Sequence, residues 1–503
     1  MRREFIFDVA IFVLLAVVAC AAASYVYAHG YTLYYGDAEA HLNIARRVVD
    51  SRTPGPEQLG TVWLPLPHLL MLPFVRNDHL WRTGLAGVIP STASFIVAGL
   101  ALFASVRRAF HSTLAAATSV LLFSANPNLL YLQSTPMTEA LFLAALLVLL
   151  WATLWFRDSS SVWSILIAAI AANAAALTRY EGWFVIPFVF VYLLVIAHNK
   201  WHAMLFGLLA SLGPLAWLAH NQYYYSNALE FYNGPYSAMA IYHRQIAAGM
   251  QPYPGDQDWL QALHYFSSTA RLVVGLPLLI LGAAGFLCAI SRRAIWPMIF
   301  LALVPAFYLW SMHSSGTPIF VPTLWPFSWY NTRYAIAVLP LAAFAAGAIV
   351  TFVPARAAPV VALVAVLLPV GFSIRSNPIS ICWKESAVNS EARREWTKEA
   401  ARYLAENFEP KSGIAISFGD LAGILREAGI PIREALHEGN HPEWDATIAR
   451  PDLMLSKAWV VADAGDDLDT AVRKADRSGV HYQLERQIMV KDAPAVEIYR
   501  RQP

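Results

Sequence analysis

The stretch FIFDVAIFVLLAVVACAAASYVYA, residues 5–28, carries a single charged residue, Asp8, in 24 positions. About 20 apolar residues cross the roughly 30 Å of a bilayer's hydrocarbon, so this run is long enough to span it. It is too long for the apolar region of a secretory signal and lacks a small-residue cleavage site with a polar flank, so it reads as an anchor. The same window finds further spans near residues 83–105, 112–131, 138–156, 161–178, 182–198, 203–222, 271–290, 295–312, 333–353 and 358–374, about eleven in all. Composition agrees: 57% of residues are hydrophobic and 14% charged, against about a quarter charged in soluble domains. The chain reads as a polytopic α-helical membrane protein.

Orientation follows from basic residues in short loops. Arg2, Arg3, Arg107, Arg108, Arg157, Lys200, Arg292, Arg293 and Arg356 alternate in register with the spans. That places them and the N-terminus in the cytoplasm and the C-terminus outside. Five arginines depart from the rule: Arg46, Arg47, Arg52, Arg76 and Arg82 all fall in the first outer loop, residues 29–82. Holding phosphate and snorkelling at the interface are the two readings.

From about residue 376 the composition changes. Residues 376–503 hold 38 of the 70 Asp, Glu, Lys and Arg residues, a soluble balance. We therefore divide the chain into a transmembrane domain, 1–375, and a soluble extracytoplasmic domain, 376–503. In the latter GIAISF (413–418) and AWVVAD (458–463) read as strands. DLAGILREAG reads as a helix stopped by Gly429, residues 466–478 as a charged helix, and 481–490 and 495–500 as strands: a small α/β domain. It has no glycine-rich phosphate loop.

A net charge of +2 without a polybasic tail gives no electrostatic support to a nucleic-acid partner. Cys20, Cys288 and Cys382 are too scattered for a disulfide scaffold or a cysteine zinc site.

Several polar residues fall at the outer ends of spans. GDAEAHLNIARRVVD begins at Gly36, just after the first span, and supplies Asp37 and Glu39. QSTPMTEALFLAA sets Glu139 at the start of the fourth span; LTRYEGWF sets Arg179, Tyr180 and Glu181 at the end of the fifth. His313 follows the ninth, and WYNTRYAIAVLP places Arg333 and Tyr334 at the start of the tenth. Ionisable groups beside hydrocarbon are costly unless they bind a metal, move a proton or meet a partner.

Each also has a plain structural reading. Asp37 suits an N-cap, worth about 1 kcal/mol, and Glu139 in a first helical turn suits the macrodipole. Glu181 suits neutralising Arg179, Arg333 suits a snorkelling anchor, and His313 suits a satisfied interface residue. His41, one turn beyond Asp37, either orients it or binds a loop. Within one helix Asp37 and Glu39 point about 200° apart, so they chelate one ion together only if Asp37 lies outside the helix. TVWLPLPHLLMLPF, with Trp63, reads as a short interfacial helix: a floor for a lipid-linked substrate, or plain anchoring.

The order of these motifs carries a resemblance. An acidic motif after the first span, WLPLPHLL, an Arg-rich inner turn (VRRAF), STPMTEA and NTRYAIAVLPL together resemble the GT-C glycosyltransferase superfamily over residues 1–350. The chain is most similar to its protein-mannosyltransferase and aminoarabinose-transferase-like branch, glycosyltransferase family 39-like. The resemblance implies an integral protein of the bacterial plasma membrane. It implies transfer of a sugar from a polyprenyl-phosphate donor to a lipid, glycan or protein acceptor on the outer face. Asp37 matches the family's general base, and Glu139 a further catalytic acid. Arg333, and by position Arg179, would face the donor phosphate, with Glu181, Tyr334, His41 and Trp63 as substrate-binding candidates. A divalent metal, Mg or Mn, is a candidate cofactor, with Glu39, Glu139 and His313 as candidate ligands. A second class stays open: a non-enzymatic lipid-sugar transporter or membrane-tethered binding protein, its acids serving as proton or cation sites.

Overall fold

The structure is a computed structural model and describes residues 2–477 and 479–502. By internal contacts the chain forms two units. One comprises Met1–Tyr31, Thr61–Pro67 and Val88–Glu385; the other comprises Thr32–Gly60, His68–Gly87 and Ser386–Pro503.

In the helical unit, among the described residues, seven helices are long and apolar enough to cross a membrane: Ile6–Ala28, Leu85–Phe110, Glu139–Ser159, Trp201–Tyr225, Ile295–His313, Thr332–Phe352 and Ala358–Arg375. An eighth candidate is bent by 109° between Trp259–Val273 and Leu276–Ser291. Its break is local chemistry: Gly275 sits at φ +88°, in the left-handed region glycine favours, and a proline opens the next helix.

The spans expected at 112–131, 161–178 and 182–198 are shorter than a perpendicular crossing. They are the helices Thr113–Ser124, Val162–Ala176 and Glu181–Ile196, of 12, 15 and 16 residues. At about 1.5 Å per residue these reach roughly 18–24 Å. The first stops because the Asn126 side chain accepts the amides of Asn128 and Leu129 and starts a new helix at Pro127.

The second unit holds a five-stranded sheet: β1 (Ile414–Ile416), β2 (Ala435–Leu436), β3 (Trp459–Asp463), β4 (Tyr482–Ile488) and β5 (Val496–Arg501). Their order is β2-β1-β3-β5-β4. β1 runs parallel to β2 and β3; β5 runs antiparallel to β3 and β4. Strand alternation splits the core between the two faces. Ile414, Ile416, Trp459, Val461 and Ile498 pack with Leu42, Ala45, Met71 and Trp81 from the first loop. Ala415, Val460 and Ala462 face Leu468 and Val472.

First-loop arginines tie this unit together. Arg46 pairs with Asp50 and Asp78, Arg47 donates to the Gln58 carbonyl, Arg52 pairs with Glu443, and Arg82 donates to the Glu427 carbonyl. Four of the five basic residues that break the charge rule thus have a structural role inside the unit.

Candidate functional site

The local fold of LTRYEGW builds the first half of the site. The Arg179 amide bonds back to the Ala175 carbonyl, and the Trp183 indole donates to the Ala176 carbonyl at 2.8 Å. Gly182 lies so close to the backbone of Ala175 and Ala176 that any Cβ there would collide with it. The loop is tied to residues 61–67: the Tyr180 hydroxyl donates to the Val62 carbonyl at 2.9 Å, and the Leu66 amide to the Leu177 carbonyl at 3.0 Å. Trp63 lies half-buried on this segment, ahead of the helix Leu66–Val75.

Arg179 is held from four sides. Its Nε donates to Glu181 Oε1 at 2.9 Å and its Nη2 to the Tyr308 hydroxyl at 2.9 Å. Its Nη1 donates to Thr138 Oγ1 at 2.8 Å and to Glu139 Oε1 at 3.3 Å. The Tyr308 hydroxyl in turn donates to Glu181. Glu139 does open its helix, as expected, but it also carries a second guanidinium: Arg333 Nε lies 3.2 Å from the same Oε1. Glu139 Oε2 is buried without a hydrogen-bond partner among the described residues.

Arg333 and Tyr334 begin a 3₁₀ turn, Thr332–Ala337, whose N-terminus is capped by Glu385. The Asn331 and Thr332 amides donate to the Glu385 carboxylate at 3.1 and 2.7 Å, and Arg333 Nη1 lies 3.6 Å from it. Both guanidiniums sit over the Tyr334 ring, Arg179 at 5.1 Å and Arg333 at 4.9 Å, and Tyr334 stacks on Tyr308. The cluster holds two guanidiniums and three carboxyls. Burial pushes the Glu385 carboxyl up, against the Arg333 charge and the Thr332 and Asn331 donors.

Sequence reasoning found Glu139, Arg179, Glu181, Arg333 and Tyr334, and the fold gathers them. It missed Tyr308, one aromatic residue in an aromatic span, and Glu385, a lone acid beyond the last span.

Other candidates lie in the second unit. Asp37 is the second residue of the helix Gly36–Val49, whose N-cap position is Tyr35, so it lies inside the helix rather than capping it from outside. His41 Nδ1 is 2.9 Å from His68 Nε2; burial, then His41 and Arg47, holds the His68 imidazole well below its usual value. Glu39 is bound by two guanidiniums, Arg393 Nη1 at 2.6 Å and Arg426 Nη2 at 3.0 Å. His313, in the helical unit, stacks on Trp259 with ring centroids 4.0 Å apart.

These residues do not fit a divalent-metal cage. Glu39 and Glu139 each face two guanidiniums, and among the described residues no three of His, Cys, Asp and Glu gather as metal ligands. Magnesium takes about six oxygens in near-octahedral geometry.

The fold is similar to that of ArnT from Cupriavidus metallidurans in its apo state, with a TM-score of 0.55 at 14% identity over 98% of this chain and 97% of that one. It is also similar to the Archaeoglobus fulgidus oligosaccharyltransferase in its apo form, with a TM-score of 0.50 at 12% identity over 91% of this chain and 69% of that one. No curated protein matches the chain in sequence. Residues 81–224 match the family model described as dolichyl-phosphate-mannose-protein mannosyltransferase. The matched segment contains Glu139, Arg179, Tyr180 and Glu181, whereas Asp37 and Arg333 lie outside it.

Proposed function

We propose that this protein transfers a sugar from a polyprenyl-phosphate donor to a lipid, glycan or protein acceptor on the outer face of the membrane, with Asp37 as general base. The observation that carries the donor class is the pair of guanidiniums, Arg179 and Arg333, ordered over Tyr334 by one carboxylate oxygen of Glu139. As the sugar leaves, charge grows on the phosphate, and a preordered guanidinium stabilises that charge without reorganising. Arg333 takes this role. Arg179, whose donors already serve Glu181, Thr138, Glu139 and Tyr308, positions Glu139 and Tyr334.

The acceptor hydroxyl needs a base within about 2.6–3.2 Å to take its proton. Asp37 is assigned on its motif in the first loop, and it lies in the first turn of the helix Gly36–Val49. The test is Asp37→Asn, reconstituted with a polyprenyl-phosphate sugar and envelope acceptors. We expect an inserted, folded protein whose transfer falls at least about 10²-fold. Near-normal turnover would remove Asp37 from the role. Mass spectrometry of envelope glycolipids and glycoproteins with and without the protein identifies donor sugar and acceptor together.

A further inference from the structure

The second unit contains an open cavity of about 510 Å³ lined by Arg46, Val48, Val49, Asp50, Pro54, Gly55, Arg76 and Arg433. Three guanidiniums and one carboxylate share its wall, and that carboxylate is already committed. Asp50 accepts from Arg46 Nε at 2.8 Å and from Arg433 Nη1 at 2.9 Å. Arg46 is fixed from every side, by Asp50, by Asp78, by the Val75 carbonyl and by the Trp81 ring 4.6 Å away. It forms a rigid cationic floor.

The other two differ. Arg433 is 61% exposed and uses one nitrogen on Asp50. Arg76 is exposed and, among the described residues, makes no ion pair or hydrogen bond through its side chain. Its four first-loop companions all have internal partners, so it is the one basic residue of that group that the fold does not consume. Like charges around one cavity repel unless a counter-charge fills it. Guanidinium forks match the oxygens of a phosphate in paired hydrogen bonds.

We propose that this cavity binds a phosphate group, Arg76 and Arg433 closing on it over the fixed Arg46. A soluble phosphate compound and a lipid phosphomonoester headgroup present the same chemistry. The proposal does not rest on the transferase reading.

The test uses the full chain in neutral-lipid nanodiscs, titrated calorimetrically with pyrophosphate, dioctanoyl phosphatidic acid and dioctanoyl phosphatidylcholine. We expect saturable binding of at least one phosphate-monoester or pyrophosphate probe and none of the choline lipid. Binding should weaken at least about tenfold in Arg76→Gln and further in Arg76→Gln/Arg433→Gln, while Arg333→Ala retains it. Preference for phosphatidic acid identifies the headgroup as source; preference for pyrophosphate identifies a soluble one. Absence of saturable binding, binding unchanged in the double variant, or binding lost only in Arg333→Ala overturns the proposal. Both arginines are exposed, so thermal unfolding of Arg76→Gln should match the parent, and this single variant suffices if the double one is unstable.

Discussion

Glu39 Oε2 accepts a hydrogen bond from Arg393 Nη1 at 2.6 Å, across 354 positions of sequence. Its other oxygen takes Arg426 Nε at 3.1 Å and Nη2 at 3.0 Å, and all three side chains are at most 9% exposed. Arg393 also donates to the Leu33 and Tyr34 carbonyls. One carboxylate of the first loop thus anchors two helices of the C-terminal segment within their shared unit.

Glu39→Gln should destabilise that unit by about 3–5 kcal/mol, because removing one member of a buried ion set leaves the others uncompensated. Limited proteolysis and thermal unfolding should show residues 386–503 released at lower temperature. A loss below about 0.5 kcal/mol, the range of neutral surface changes, would show that the arginines find other partners.

Gly423 explains how Glu39 gets so close. A Cβ at this helix position would collide with Glu39 Oε1, and that oxygen cannot yield freely because Arg426 holds it. Gly423→Ala is expected to cost about 1–3 kcal/mol, the usual penalty for overpacking, despite alanine's better helix propensity. In Glu39→Ala the same change should become neutral or stabilising. A double-mutant cycle over the four proteins measures this, and additive effects would contradict it.

Arg179→Lys tests the positioning role. A lysine supplies one nitrogen where Nε, Nη1 and Nη2 now reach Glu181, Thr138, Glu139 and Tyr308. Losing one or two charge-assisted bonds, at about 1.5–3 kcal/mol each, should lower transfer about 10- to 100-fold or more. Tyr308→Phe, which removes one hydroxyl and its bonds to Arg179 and Glu181 but leaves both charged groups in place, should have the smaller effect. Transfer by Arg179→Lys at the parent rate would show that Glu139 and Tyr334 are held without it.

Local chemistry was legible wherever the pattern is local. Gly429 stops its helix in the left-handed conformation, and β1, β3, β4 and β5 lie on the runs that read as strands, whereas no run marks the two-residue β2, Ala435–Leu436. Glu139, Arg179 and Arg333 were legible as candidates because each opens or closes an apolar run. What pairs with what was not legible. Glu39 read as a candidate metal ligand because its partners lie more than 350 positions away. Glu385 gave no sign of its role, since capping Thr332 depends on tertiary folding across 53 positions. Span lengths failed for a related reason: hydropathy reads straight through Asn126, whose side chain ends one helix and begins another.

Asp463 supplies a pH-dependent test. It ends β3, and burial, then the charges of Asp466 and Asp420, push its carboxyl up to about 6 from an ordinary 3.8. The folded state therefore holds this proton more tightly than the unfolded chain does. The stability it contributes is fully present below about pH 4 and is lost as pH rises through about 6. Asp463→Asn keeps the shape and removes the ionisation. At pH 7.5 it should stabilise the unit, by about 1 kcal/mol after allowing for solvent screening at a half-buried site. The gain should shrink at pH 5 and disappear near pH 4. Thermal unfolding of the two proteins at these three pH values makes the comparison, and a difference of equal size at all three would trace the effect to packing rather than to charge.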